Sequence, residues 1–413
     1  MDFTPREIQD QPAPSRARDQ TVNPLRDKVR MASHYQSPPP QRVIFGPGLE
    51  EAVAEETERL SARRIVVVVG RSLNYRSGVL DVLKHVLGSS IVHAKLGVQS
   101  FSPREDVIDI VNAAGTYDAD LIISIGGGSI TDAVKIARLC LGNHVADVSG
   151  MDRLVVGALG REGLEAPALK HIAIPTTLSS GEYTFLAGGL NTSLGRKQSY
   201  AFEGLAPNVV ILDGSLACNT PLPLWLSTGL RAVDHAVETW CSINAHPMAD
   251  ATALHALKLL PGALLTAHTA ADRADARLQA LHGAWLAING IACGVPQGAS
   301  HGIGHVLGGI ARVPHGFTSC IMLPHVLRFN APLNAARQTS VRDLIDCTAP
   351  DAATAVEKLV TQLGLPGRLR DVGVDPGILD RVAADAMRDY WIPTNPRPIR
   401  DVKTIRALLD EAW

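Results

Sequence analysis

Five consecutive β-branched residues, Ile65-Val66-Val67-Val68-Val69, constrain this chain more than any other segment. A strand with one wet face alternates apolar and polar side chains. An unbroken apolar run of this length instead requires a strand covered on both faces, which is the environment of a parallel sheet. Three further runs, Ile91–Ala94, Leu121–Ile125 and His171–Ile174, alternate with helical stretches at Ser77–Leu87, Arg104–Ala114 and Ile130–Leu141. Strand–helix alternation of this kind predicts parallel strands joined by right-handed crossovers.

Beyond about Pro221 the pattern changes to Ala- and Leu-rich segments at helical spacing: Trp225–Ser242, Met248–Thr266, Ala270–Ala292, Ala299–Ala311, Asp343–Cys347, Ala353–Leu363, Ile378–Arg388 and Lys403–Trp413. Prolines 247, 261, 296, 314, 324 and 366 are expected to separate several of them. The predicted organisation is a disordered, Pro- and Arg-rich tail over residues 1–35, an α/β domain over 36–205, and an all-helical domain over 206–413.

Composition removes several function classes. With 39 Lys+Arg against 41 Asp+Glu the net charge is −2, which gives no basic surface to displace phosphate counterions, so no nucleic-acid partner is expected. Six cysteines without a C-x-x-C pair exclude a disulfide scaffold or a zinc ribbon. No run approaches the ~18 apolar residues of a membrane helix. The first 35 residues lack the apolar segment of a secretory signal and carry too many acids for a mitochondrial presequence, so a cytoplasmic protein is expected.

Leu121–Ile125 runs directly into Gly126-Gly127-Gly128-Ser129 and then a helix. Glycines let backbone approach a ligand closely, and a helix N-terminus offers unpaired N–H groups to an anion. A tight βα turn would use the same glycines. Asp132 and Lys135 on the following helix add a carboxylate and a cation, which makes the motif more informative than the glycines alone and leaves both readings open.

The fourteen histidines divide by context. His85, His255, His268 and His282 sit in ordinary helical surroundings and are read as packing residues. Arg231 and His235 are at i and i+4, one above the other on a helix face, and so are His301 and His305. Pro314-His315-Gly316 follows in an expected turn. Together these groups predict a functional site in the helical half.

Gly-Gly-Gly-Ser-x-x-Asp-x-x-Lys at 126–135, Pro175-Thr176-Thr177, His301-x-x-x-His305 and Pro314-His315-Gly316 occur in an order that resembles the iron-containing (group III) alcohol dehydrogenases. That family includes the maleylacetate reductases and is related to dehydroquinate synthase. The resemblance implies a dehydroquinate synthase-like architecture, a dinucleotide-binding α/β domain facing an all-α domain, with NAD or NADP in the cleft between them. It further implies hydride transfer between the nicotinamide and a small-molecule carbonyl or alcohol, and a homodimer. By the same resemblance the cofactor is held by Gly70, Arg71 and Ser72, by Gly126, Gly127, Gly128, Ser129, Asp132 and Lys135, and by Thr176, Thr177 and Ser180. Arg231, His235, His301, His305 and His315 are the implied catalytic set.

One departure decides the kind of member expected. The metal-dependent enzymes carry an Asp where this chain has Arg231, while His235, His301 and His315 are kept. A guanidinium there would repel a divalent cation, so a metal-independent, maleylacetate reductase-like keto reductase is expected, with His235, His301 and His315 as the ligands if a metal is present. The alternatives are a metal-dependent (Fe/Zn) alcohol dehydrogenase and, more remotely, a dehydroquinate synthase-like lyase or a non-catalytic dinucleotide sensor. At the end of the first strand the family often carries Asp; Gly70 and Arg71 remove that barrier to NADP.

Overall fold

The computed structural model describes residues 41–158 and 163–413; the predicted tail at 1–35 lies outside them. The first part contains β1 (Arg42–Ile44), α1 (Leu49–Arg59), β2 (Ile65–Val69), α2 (Arg71–Ser77), α3 (Val79–Leu87), β3 (Ile91–Leu96), α4 (Arg104–Thr116), β4 (Leu121–Gly126) and α5 (Gly128–Gly142). It continues through β5 (Lys170–Pro175), β6 (Leu186–Asn191), β7 (Arg196–Ala201) and β8 (Val209–Ile211). The second part is helical: α6 (Gly214–Ala217), α7 (Leu222–Cys241), α8 (Pro247–Thr269), α9 (Ala274–Ala292), α10 (Ala299–Ile310), α11 (His315–Asp346), α12 (Ala352–Gln362), α13 (Leu379–Ala386) and α14 (Val402–Ala412).

Six strands form one parallel sheet in the order β1-β8-β5-β4-β2-β3. All five β2 residues are buried. Alternate residues of β2 enter different cores, Val66 and Val68 on one face and Ile65, Val67 and Val69 on the other, which is why the strand carries no polar alternation. The chain runs from β2 outward to β3, then returns to the other side of β2 as β4. That reversal opens a crevice at the carboxyl ends of β2 and β4, the place where open α/β sheets take ligands. Gly70 and Gly126 stand there, and the Gly70 N–H donates to Ile125 O at 3.0 Å.

Several expectations are corrected. The sheet extends through Ile211, so the α/β part continues past the 205/206 division; the pairing of Val209–Ile211 with β1 and β5 is what joins this short run to the sheet. The antiparallel β6–β7 hairpin was also missed, because Gly188 and Gly189 and the polar run Arg196–Ser199 dilute its pattern. Pro261 and Pro324 lie inside α8 and α11 rather than between helices. An internal proline costs a helix roughly 3 kcal/mol, an amount that burial of both prolines against neighbouring helices can offset. Pro314 caps the start of α11, so His315 opens a long helix instead of sitting in a turn. That helix kinks at Asn334 (φ −134°, ψ 26°), two residues beyond Pro332.

Candidate active site

A cleft of about 1450 Å³ lies between the carboxyl ends of the strands and the helices α7, α10 and α11. Its two walls are built by different means.

The sheet-side wall is mainly backbone. Gly126 has φ +150°, and a Cβ there would lie 2.6 Å from Ile130 Cδ1. A Cβ on Gly127 would come within 3.0 Å of Thr177 Cγ2. No side chain caps the N-terminus of α5, so its first N–H groups face the cleft beside these glycines. Thr176 and Thr177 line the same wall, and Thr177 Oγ1 shares a 2.9 Å hydrogen bond with Ser179 Oγ. The Ser129 hydroxyl accepts from Phe101 N at 3.1 Å, and Asp132 Oδ2 accepts from Gly188 N at 3.1 Å. Gly70, Arg71 and Ser72 close the end of β2, with Arg71 Nη2 donating to Leu96 O at 3.3 Å.

Two expected cofactor residues stand away from this wall. Lys135 is fully buried and donates to Gly181 O at 2.6 Å and to Leu186 O. Burial holds its ammonium down, at a pKa of about 8. Ser180 Oγ donates to Leu178 O at 3.3 Å and Ala284 O at 3.1 Å. Both residues brace the 181–183 turn from behind. Position 135 lies about 60° around the helix from Asp132, enough to carry it below the cleft floor.

The helix-side wall is made of side chains. Arg231, His235, His305 and His315 line it. His301 does not: it lies behind, wholly buried, with its ring stacked on His235 at 4.9 Å. On α7 the residues Arg231, Asp234, His235 and Glu238 follow the i, i+3, i+4, i+7 rhythm of one helix face. Arg231 Nη1 donates to Ser319 Oγ at 3.1 Å and stands 3.9 Å from Asp234 Oδ2. That same Asp234 oxygen accepts from Ser300 Oγ at 2.8 Å and Ser319 Oγ at 2.6 Å. Glu238 accepts the backbone N–H groups of Gly298, Ser300 and His301, and shares a 2.7 Å hydrogen bond with His301 Nδ1. It therefore caps α10 across the helix interface, satisfying donors that no residue of α10 itself satisfies.

Burial holds His235, His301 and His315 well below the usual imidazole range, and Arg231 lowers all three further. His305 is also lowered by burial, but its hydrogen bond to Asp389 opposes the shift. Burial, and then Asp234, push the Glu238 carboxyl up, against the pull of its three backbone donors.

Among the described residues, Asp234, Glu238 and His301 gather ligand atoms within 4.8 Å of one another and form a possible metal site, a different set from the expected His235, His301 and His315, which do not gather so. Asp234 Oδ2 and both Glu238 oxygens already accept hydroxyl, N–H or imidazole donors. Asp234 Oδ1, His235 Nδ1, His301 Nε2 and His315 Nδ1 are buried without a hydrogen-bond partner.

From sequence Asp234 is set aside as a substitute for the missing Asp ligand, because neighbouring helix positions point about 100° apart, and Glu238 is unassigned although its spacing from Arg231 is visible. No signal in the sequence points to Asp389 or to Lys197, which reaches the cleft from β7.

Comparison with known proteins agrees with this arrangement across the described chain. The iron-containing alcohol dehydrogenase model matches residues 40–214, and that of the Fe-containing alcohol dehydrogenase family, C-terminal, matches 225–413. The chain belongs to the iron-containing alcohol dehydrogenase family. It is an oxidoreductase of that family, and the expected pairing of an α/β domain with a helical domain is the observed one. It is 33% identical over 387 residues to the dehydrogenase ALT3 of Alternaria alternata, covering 84% of this chain and 98% of the relative. Maleylacetate reductase 1 of Rhodococcus opacus is 32% identical over 381 residues, covering 91% and 94%. The solved maleylacetate reductase of Rhizobium sp. strain MTP-10005 superposes with a TM-score of 0.76 at 28% identity, covering 92% and 97%. Among the described residues no helix is long and apolar enough to cross a membrane.

Proposed function

We propose that this oxidoreductase reduces a carbonyl compound bearing a carboxylate, using NAD(P)H and no metal. The observation that carries the reading is Arg231 in the cleft wall beside His235 and His305, where the metal-dependent relatives are expected to place a carboxylate ligand. A guanidinium is a fixed cation with a planar fork of donors suited to a carboxylate or a developing alkoxide. It also raises the cost of a divalent ion nearby.

The sheet-side wall fits a dinucleotide. Bare glycines at 126–128 admit close backbone approach, and the uncapped α5 N-terminus suits a pyrophosphate. When bound, the nicotinamide supplies the hydride. The protein's own residues do the rest: Arg231 orients the substrate, His305 hands a proton to its oxygen, and the buried imidazoles keep the pocket low in charge. Arg71 at the end of β2 offers a cation suited to the 2′-phosphate of NADP, in place of the carboxylate that would oppose it at that position.

The test is a substrate screen on purified protein, comparing keto acids with simple aldehydes and ketones, NADPH with NADH, and chelated with untreated enzyme. Turnover of keto acids that survives chelation is expected. Stoichiometric iron or zinc required for activity would instead establish the metal-dependent alcohol dehydrogenase reading, with the Asp234–Glu238–His301 group as the first place to look. Cofactor binding without any carbonyl turnover would indicate a sensor.

A further inference from the structure

We propose that Asp389 is the positioning residue that makes His305, rather than His301, the proton donor of this cleft. The inference rests on the hydride-transfer reading above and adds a residue 84 positions away in sequence.

The chain segment after α13 brings Asp389 Oδ2 to 2.9 Å from His305 Nδ1. The carboxylate is itself held, because Asp389 Oδ1 accepts from Trp391 N at 2.9 Å. Gly302, one turn before His305, makes the approach possible: a Cβ there would stand 3.1 Å from Asp389 Oδ1 and 3.0 Å from Ile392 Cδ1. Trp391 and Tyr390 pack on the imidazole with centroid distances of 5.0 and 6.0 Å, which restricts rotation of the ring. An Nδ1–H donated to a fixed carboxylate leaves Nε2 as the nitrogen that exchanges a proton with a ligand.

His301 has the same carboxylate–imidazole arrangement through Glu238, but no access. Its side chain is 0% exposed and absent from the cleft wall, whereas that of His305 is 28% exposed and lines it. The charged and titratable groups facing His305 are Arg231 and His235 from α7, His315 from α11, Lys197 from β7, and Asp389 and Tyr390 from the segment after α13. Asp389 is the anion among them, opposing the two cations. An imidazolium forming at His305 without it would face Arg231 and Lys197 uncompensated.

In the reduction, hydride adds to the carbonyl carbon and the C=O π electrons move to oxygen. That oxygen takes the proton from His305 Nε2, NAD(P)⁺ and neutral His305 remain, and solvent returns the proton. Asp389 acts only through the His305 ring and touches neither substrate nor cofactor.

The test uses the full chain and four proteins: wild type, Asp389→Asn, His305→Ala and the double variant. Asp389→Asn is expected to lower kcat about 10–100-fold, the range seen when a group orienting a functional imidazole is lost. The KM for NAD(P)H should be unchanged, and Asp389→Glu should recover part of the loss. In the His305→Ala background, Asp389→Asn should cost nothing further. An equal loss in both backgrounds, or wild-type kcat in Asp389→Asn, would overturn the proposal. ¹⁵N NMR of the His305 ring reads the same point without turnover: wild type should carry its neutral-state proton on Nδ1, and Asp389→Asn should lose that preference. A wild-type ring protonated on Nε2 would refute the positioning role even with activity intact. Absence of any carbonyl reduction by wild type, with the Nδ1 tautomer present, would fail the functional reading alone.

Discussion

The two walls of the cleft face the same ligand space and are built from opposite materials. The sheet-side wall presents backbone: three glycines, an uncapped helix end and two threonines. The helix-side wall presents long polar side chains, among which Arg231 is tied to Ser319 on α11 and His305 to Asp389 in the segment after α13. A backbone wall needs little support, because the sheet already fixes the amide positions. A side-chain wall must have its rotamers and protonation states set from outside, and this chain does so with Asp234, Glu238 and Asp389. Recognition of a constant group can therefore be local in sequence, whereas chemistry on a particular substrate draws on residues spread over 150 positions.

Substitutions that act on one wall and spare the other would test the division. The largest effect is expected for Arg231→Met, which should lower kcat/KM for a carboxylate-bearing substrate about 10²–10³-fold while leaving NADPH affinity by fluorescence titration unchanged. Loss of cofactor affinity in that variant would erase the distinction. The reciprocal change, Gly127→Val, places a branched side chain against Thr177 and over the α5 N-terminus. NADPH affinity should fall at least tenfold, about 1.4 kcal/mol, with the folded helical half unaffected by circular dichroism.

Glu238→Gln addresses support rather than contact. Replacing one of the two carboxyl oxygens that cap α10 with an amide nitrogen is expected to cost about 1–2 kcal/mol, which calorimetry would read as a fall in Tm of roughly 2–4 °C for each kcal/mol. A Tm equal to wild type would show that a single acceptor oxygen from α7 suffices to cap α10.

The smallest effect concerns Lys135, a titratable group on the otherwise backbone-dominated side. Its ammonium loses a proton near pH 8 when folded and near 10.5 when unfolded. Between those values the unfolded chain binds more protons, so this group makes stability rise with pH, by at most about 1.4 kcal/mol per pH unit. Lys135→Met should remove that contribution from denaturant unfolding measured across the window. An unchanged slope would mean that the folded state keeps the ammonium.

How much was legible follows the same division. The β2, β4 and β5 runs and the glycine loop were readable because burial on both faces and close approach leave a mark on contiguous residues. Arg231 with His235, and His301 with His305, were readable because i, i+4 spacing is a helix property. Lys135 and Ser180 stand away from the expected wall: a rotation of about 60° along α5 and the path of the 178–183 turn send both side chains behind the cleft. His301 was placed in the pocket by its spacing and is instead buried behind it.

The sequence by itself determined the two-part organisation, the glycine loop between β4 and α5 and the family, since each is written in short-range patterns of apolar period, glycine and motif order. Only the tertiary structure decided which imidazole reaches the cleft, which carboxylate serves each one, and that β8 belongs to the sheet. Those outcomes depend on contacts between segments distant in the chain, and no local rhythm records which helix will lie opposite a given face. Asp389 meeting His305 across 84 residues is the clearest instance.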